Sequence, residues 1–449
     1  MNRPQYELRA STQSSRRAAS AWLMLGLAAL VFAGLYSLLL VLARTPAVQK
    51  MTPFIGFFRV ALVIHVNLSV LVWLMSVCAA CWSLSVRNRL PRWDMLSLGL
   101  AIAGTGVMVV APLAGAGQPL MNNYVPMLQH PVYYAGLILF GAGIGSHLLR
   151  CLFPGPRPPG LDGTASLHAG IRASALIVAT AMLAVLASAA GIPGDMAGQV
   201  YFEFLFWGSG HVLQFAYTLL MMVCWVVLAA NSGCHFVLSP RLTLTFLVIL
   251  ALPVITVPFL YLAHDIVSPG HRLAFTELMK YGGLSCLPLG LAVVASLRGV
   301  QPPAGEQRHL RAALLASILL FATGGILGFM VAGLDIVIPA HYHGSTVGVT
   351  LAFMGLVYYL LPRLGFGDLP PRLAFRQPII YATGQMMHII GLAWTGGYGV
   401  QRKTAGLAQG VDRLGEIAGM GLMGLGGLVS VIGGLLFLVV CYRSIRDKE

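Results

Sequence analysis

Apolar runs long enough to cross a bilayer recur from one end of this chain to the other. A helix rises 1.5 Å per residue, so about 20 apolar residues span the hydrocarbon core. We count twelve such runs, at 20–42, 54–86, 93–114, 131–153, 168–190, 200–230, 241–264, 279–297, 309–334, 341–362, 378–400 and 414–442. Inside lipid every backbone donor and acceptor must be satisfied within the protein, which a helix achieves segment by segment. The expected fold is therefore an all-α membrane protein, a twelve-helix bundle. Of 449 residues, 57% are hydrophobic and only 9% charged, a balance that excludes a soluble globular domain.

The formal charge of +14 could suggest a nucleic-acid partner. Its distribution points elsewhere. With both termini in the cytoplasm, most of the 28 Lys and Arg fall on inner segments, as the positive-inside rule requires. That basic face meets anionic lipid headgroups, and no nucleic acid is implied. Residues 1–19 read as a basic cytoplasmic tail, 20–442 as one membrane domain and 443–449 as a second cytoplasmic tail. The first run is full length and no cleavage site precedes it, so it reads as a retained helix. Seven cysteines lie mostly in or beside the runs, which argues against a disulfide framework. Cys78 and Cys81 form a C-x-x-C, but Trp82 stands where covalent haem attachment would need His.

The twelve histidines carry the chemistry. His168, His235 and His309 lie near cytoplasmic ends and His147 toward the inner end of its run, where none needs a metal. His341 and His343 open the tenth run. Two residues apart on a helix is about 200°, so their rings point to nearly opposite faces and suit two cofactors rather than one metal. His65 and His211 each lie about 16 Å into the second and sixth runs, and His264 closes the seventh. All five are expected in the outer half of the bilayer, and imidazole is the commonest neutral nitrogen ligand.

These stretches resemble the catalytic subunit of the haem–copper oxidase superfamily. The matching segments are HVNLSVLVW at 65–73, WGSGHVLQF at 207–215, LAHD at 262–265 and PAHYHGSTVG at 339–348. GQMMHIIGLAWTGGYGVQRK at 384–403 resembles the helix 11 segment, and NNYVPMLQHP at 122–131 is most like the branch of C-family oxidases and nitric oxide reductases. The resemblance covers nearly the whole chain. It implies a fold of the cytochrome c oxidase subunit I type in the inner membrane of a bacterium. It also implies two haems, b-type favoured, and one non-haem metal, Fe or Cu. His65 and His343 would be the axial ligands of a low-spin haem and His341 that of a high-spin haem. His211 and His264 would hold the second metal, and Arg402 and Lys403 would pair with haem propionates. Bis-His iron suits electron transfer, and a five-coordinate iron suits gas binding.

Two departures matter. Family members that reduce oxygen carry a tyrosine near the second metal, often four residues after the helix 6 histidine, where this chain has Phe215. Tyr261 and Tyr217 are the available substitutes. The helix 7 His-His pair reads His264-Asp265, and a carboxylate favours iron over copper. Gln214 and His271 are further candidate ligands. Asp265 reads about equally well as an interfacial residue capping the helix end. Glu203, Asp265, Glu277 and Asp335 lie toward the outer side, and no acid is evident in the inner halves, so protons are expected from outside.

The expected activity is reduction of a diatomic gas, nitric oxide ahead of dioxygen. The alternative is a haem-binding relative without gas chemistry, in electron transfer, sensing or assembly. A transporter would account for twelve helices but not for the histidines. The chain has no covalent-haem motif and no outer copper domain, so the expected donor is a small electron-donating subunit or a cytochrome c on the outer face, with quinol as the other source.

Overall fold

The computed structural model describes residues 5–10, 12–44, 57–85, 91–115, 117–152, 160–234, 236, 238–298, 300, 303, 305, 307–331, 337–396 and 414–447. The runs fold as helices α1 (Gln13–Arg44), α2 (Phe58–Ser85), α3 (Pro91–Ala114), α4 (Pro131–Leu152), α5 (Gly163–Gly191) and α6 (Gly198–Asn231). They continue as α7 (Pro240–Ala263), α8 (Pro269–Ala295), α9 (Gln307–Met330), α10 (Val337–Arg363), α11 (Pro371–Gly396) and α12 (Leu414–Arg446). Eleven are long and apolar enough to cross a membrane. The exception is α11, which carries Arg372, Arg376, Gln377, Gln385 and His388. A two-stranded ribbon, β1 (Pro119–Leu120) and β2 (Met127–Leu128), pairs antiparallel between α3 and α4.

Sequence chemistry sets several helix ends. Asp162 caps α5 by accepting from the Ala165 amide, Ser239 caps α7 through Leu242, and Ser268 caps α8 through His271. Each supplies an oxygen to an amide that lacks an intrahelical partner. Pro240 and Pro269 occupy first-turn positions, where a missing N–H costs nothing. Besides α3, which ends in a 3₁₀ turn at Ala111–Ala114, three helices are interrupted within their length. A 3₁₀ segment interrupts α7 at Leu252–Thr256 and another interrupts α8 at Gly283–Cys286. A π-helical turn occupies Asn67–Val72 in α2, starting two residues after His65.

The chain forms two compact units, Met1–Ala29 with Val66–Val300, and Leu30–His65 with Gln301–Glu449. In the first, α3 packs on α4 and α5 on α6. In the second, α9 packs on α10 and α11 on α12. The α11–α12 seam repeats every seven residues. Gly384 faces Gly426, Gly391 faces Gly419 and Gly433 lies against Tyr381, so closely that a Cβ on Gly426 would sit 2.4 Å from the His388 amide nitrogen. Small residues at such a seam let two membrane helices meet backbone to backbone. All seven cysteines are buried and free, in keeping with thiols in helices.

Candidate haem and metal sites

Besides His309, the second unit contains His65, His341, His343 and His388, the first three of them candidate ligands from the sequence. His65 lies on α2 before the π-turn, and its Nδ1 meets the Ala33 carbonyl at 2.9 Å. His341 lies in the first turns of α10, with Nδ1 2.7 Å from the Gly324 carbonyl on α9. His343 Nδ1 is 3.1 Å from Gln385 Oε1 on α11. In every case an acceptor holds Nδ1, so Nδ1 carries the proton and Nε2 keeps the lone pair. Metal-bound histidines are oriented in this way, with the second nitrogen donating to a carbonyl. All three rings therefore fit the role of axial ligands to haem iron.

Local packing explains why the tenth run places His341 so firmly. Gly324 and Gly344 put α9 and α10 in backbone contact, and a Cβ on Gly324 would fall 2.2 Å from the Ser345 nitrogen. One turn along α9, a Cβ on Gly328 would meet the His341 ring at 2.8 Å. The fourth imidazole, His388 of α11, was quoted in the helix 11 segment but given no role. Its ring centroid is 4.4 Å from that of His343, and its Nδ1 is 2.9 Å from the Met423 carbonyl. Spacing on α11 held the signal, since His388 lies one turn after Gln385. Arg402, Lys403 and Asp335 fall outside the described residues.

The first unit holds the other group. His211 is buried on α6, and both nitrogens are engaged: Nδ1 is 2.7 Å from the Trp207 carbonyl and Nε2 3.0 Å from the Tyr124 hydroxyl. Tyr124 comes from the loop between the two strands, and its role was not foreseen. Gly210 makes room for it, because a Cβ there would lie 2.1 Å from Tyr124 Cγ. Gly208 does the same for Tyr261, whose hydroxyl would be 2.4 Å from such a Cβ. The W-G-S-G-H motif thus admits two phenols beside one histidine. Tyr261 bonds Ser188 Oγ at 2.9 Å and the Ala184 carbonyl at 3.0 Å. Tyr217 is buried lower on α6, as is Phe215.

His264 has left the α7 helix, with extended φ −135° and ψ 134°. Gly270 passes close under it, so that a Cβ there would lie 3.0 Å from His264 Nδ1. Asp265 is exposed in the turn, where its backbone carbonyl accepts from the Ser268 amide and hydroxyl. Asp265 caps neither helix, since His264 is the C-cap of α7 and Ser268 the N-cap of α8. His271 is fully buried in the first turn of α8, and neither ring nitrogen has a hydrogen-bond partner among the described residues. A buried imidazole left in that state costs about 1–3 kcal/mol, and a metal–nitrogen bond would remove the cost. Phe275 stands between the two buried rings, 6.0 Å from His211 and 4.9 Å from His271 by centroid. Among the described residues no three ligating side chains stand close enough to hold one ion. Gln214 is half-buried on α6.

The acids divide. Glu203 accepts from the Asn123 amide at 3.2 Å and from the Asn123 side chain, while Glu277 is exposed. The expectation that one end of the spans lacks carboxylates fails at Asp94. It is buried in the first turn of α3, paired with Arg150 of α4, and lies 4.0 Å from His147 Nδ1. The sequence hides it because each partner looks like an interfacial charge until α3 and α4 are paired. His147 is otherwise satisfied, with Nε2 near Ser83 Oγ and the Ala79 carbonyl.

Membrane-spanning helices with inward-facing imidazoles define a class, the redox-active integral membrane proteins that hold porphyrin iron. The sequence matches the family described as cytochrome c and quinol oxidase polypeptide I over residues 17–436, and the chain belongs to that family. Its members bind haems and a metal centre and act as terminal oxidases or reductases. An uncharacterized protein of Rickettsia prowazekii (strain Madrid E) is 29% identical, with 95% of each chain covered. One from Aquifex aeolicus (strain VF5) is 28% identical over 77% of this chain and 85% of its own. A solved heme-copper terminal oxidase dimer shares the fold with TM-score 0.74 and 17% identity, covering 96% of this chain and 84% of that one.

Proposed function

We propose that this chain is the catalytic subunit of a respiratory terminal reductase. His65 and His343 would hold a low-spin haem suited to electron relay, and His341 would hold a high-spin haem suited to binding a diatomic gas for reduction. The carrying observation is the shared hydrogen-bond pattern of those three rings, each with Nδ1 held by a carbonyl or amide oxygen of the protein. Second-metal ligands come from His211, His264 and His271, with Asp265 and Gln214 as oxygen donors. Arg402 and Lys403 are assigned to the haem propionates.

The bound metals supply electrons and an open coordination site for the gas. The chain supplies orientation and protons. Gly324 fixes the His341 ring, and the Tyr124 hydroxyl places an exchangeable proton at His211 Nε2. Glu203, held by Asn123, is a carboxylate able to feed that region, and Asp335, outside the described residues, is kept as a candidate from the sequence alone. Nitric oxide remains the favoured substrate, 2 NO + 2e⁻ + 2H⁺ → N₂O + H₂O, because Asp265 replaces a histidine and Phe215 a tyrosine. Tyr124 and Tyr261 keep dioxygen close behind, since either phenol can lend a proton. The expected donor is a small subunit or cytochrome c on the outer face, or quinol.

Purified, reduced protein should form N₂O from nitric oxide. Vigorous O₂ consumption without N₂O would overturn the substrate preference. His65→Ala or His343→Ala should abolish the low-spin haem spectrum, whereas His341→Ala should leave it largely intact. Loss of that signal in all three would reject the assignment of ligands. The second reading, a haem protein without gas chemistry, is favoured by one observation: both nitrogens of His211 are already taken by protein groups. Haem without non-haem iron or copper would establish it.

A further inference from the structure

In the first unit, the hairpin that carries Tyr124 is fastened to three helices. Pairing of Pro119 with Leu128 and of Leu120 with Met127 leaves residues 121–126 as its turn. The strand ladder cannot satisfy the backbone groups of such a turn, so side chains do. Asn122 Nδ2 donates to the Val125 carbonyl at 3.1 Å. Glu203 of α6 accepts from the Asn123 amide at 3.2 Å and from the Asn123 side chain. The Pro126 carbonyl accepts twice, from Asn67 Nδ2 of α2 at 2.7 Å and from the Tyr133 hydroxyl of α4 at 3.4 Å.

Tyr124 stands between the last two fastenings, next to Asn123 and shortly before Pro126. Its hydroxyl is 3.0 Å from His211 Nε2, so a drift of about 0.5 Å would take the pair to the edge of hydrogen-bond range. Of the two donors on Pro126, Asn67 is the closer, and at 2% exposure it keeps that bond away from water. Its position is otherwise unfavourable. Asparagine is a poor helix former, and an amide within an apolar span belongs where it can bond to a neighbouring segment. Here it opens the π-turn Asn67–Val72, the kind of irregularity that recurs at functional positions.

We propose that Asn67 is the positioning residue for Tyr124: through the Pro126 carbonyl it fixes the turn so that the phenol stays within reach of His211 Nε2. Its part in the reaction rests on the reading that Tyr124 supplies a proton at His211. Tyr133, 3.4 Å from the same carbonyl, is the weaker support, and Glu203 holds only the segment on the other side of Tyr124.

The test uses the full haem-loaded chain and two changes of similar size, Asn67→Asp and Asn67→Leu, each of which removes the amide donor. Infrared spectra of protein grown on ring-labelled tyrosine, each measured against the same protein carrying Tyr124→Phe, isolate the Tyr124 C–O stretch. Both variants should shift that band, Tyr133→Phe should shift it less, and the low-spin haem spectrum should stay unchanged. In turnover with nitric oxide or dioxygen, Asn67→Asp should lower kcat about threefold with KM unchanged. In a Tyr124→Phe background the same change should have no further effect. An unmoved band overturns the proposal. So does an equal loss of kcat in the Tyr124→Phe background, or an altered low-spin haem spectrum, which would place the effect at His65. A shifted band with unaltered turnover would keep Asn67 as the positioning residue and reject Tyr124 as the proton donor.

Discussion

Replacing Gly324 by Ala should cost more than any neighbouring Gly→Ala change, and the amount follows from one crossing. A Cβ at 324 would sit 2.2 Å from the Ser345 nitrogen and 2.5 Å from the Gly344 carbonyl carbon. Both obstacles are backbone, so neither can rotate away. Restoring ordinary contact at 3.4 Å moves α10 away from α9 by about 1.2 Å. The bond from His341 Nδ1 to the Gly324 carbonyl, now 2.7 Å, would stretch toward roughly 3.9 Å, beyond hydrogen-bond range. Overpacking of this kind costs about 1–3 kcal/mol, and the lost bond about 0.5–1.5 kcal/mol. Gly325 is the internal control, because its Cβ would meet nothing within 4 Å. Gly325→Ala should be neutral or stabilising by up to about 1 kcal/mol. Thermal unfolding in one detergent would rank the pair, and a carbon monoxide difference spectrum would report the five-coordinate haem assigned to His341. Identical Tm and identical spectra for the two variants would refute the reasoning.

Tyr124→Phe should keep both haem spectra and lower gas turnover at least tenfold, through loss of the proton held at His211 Nε2; unchanged turnover would remove Tyr124 from the chemistry. His271→Leu separates two roles by opposite signs. As a metal ligand its loss should empty the non-haem metal, measured by elemental analysis, whereas a merely packed imidazole would leave metal intact and raise Tm as two unpaired nitrogens disappear. Asp94→Asn should destabilise by about 1.5–3 kcal/mol, because the charged contact with half-buried Arg150 is lost; a shift below 1 kcal/mol in chemical unfolding would show that water reaches the pair. Gln385→Leu should perturb the low-spin haem spectrum by freeing His343 Nδ1, and the high-spin spectrum should not change.

Hydropathy marked all twelve helices, because crossing a membrane is a demand each segment meets alone. It was weakest at α11, whose arginines, glutamines and His388 dilute an apolar run that packs through glycines. The α2 interruption was invisible, since a π-turn leaves composition unchanged. Side-chain direction was legible where one helix fixes it, since His341 reaches α9 while His343 reaches α11. It was illegible where loops decide. Tyr124 reaches His211 only because a strand turn carries it over Gly210, and His264 departs from helical φ and ψ just where the tally of ligands needs it. Asp94 and Arg150 were hidden for a related reason, being 56 residues apart and meeting only after α3 and α4 pair.

The wide turn at Asn67–Val72 makes the length of α2 meaningful. Such a bulge absorbs one surplus residue without breaking the rod, and so sets the angular offset between the two halves of the segment. Deleting the surplus residue would restore a regular α-helix, whereas an insertion or deletion in a regular stretch of α2 turns the residues beyond it by about 100°. A homologous chain one residue shorter in this stretch can therefore run as an unbroken α-helix and still present the same faces on either side of it.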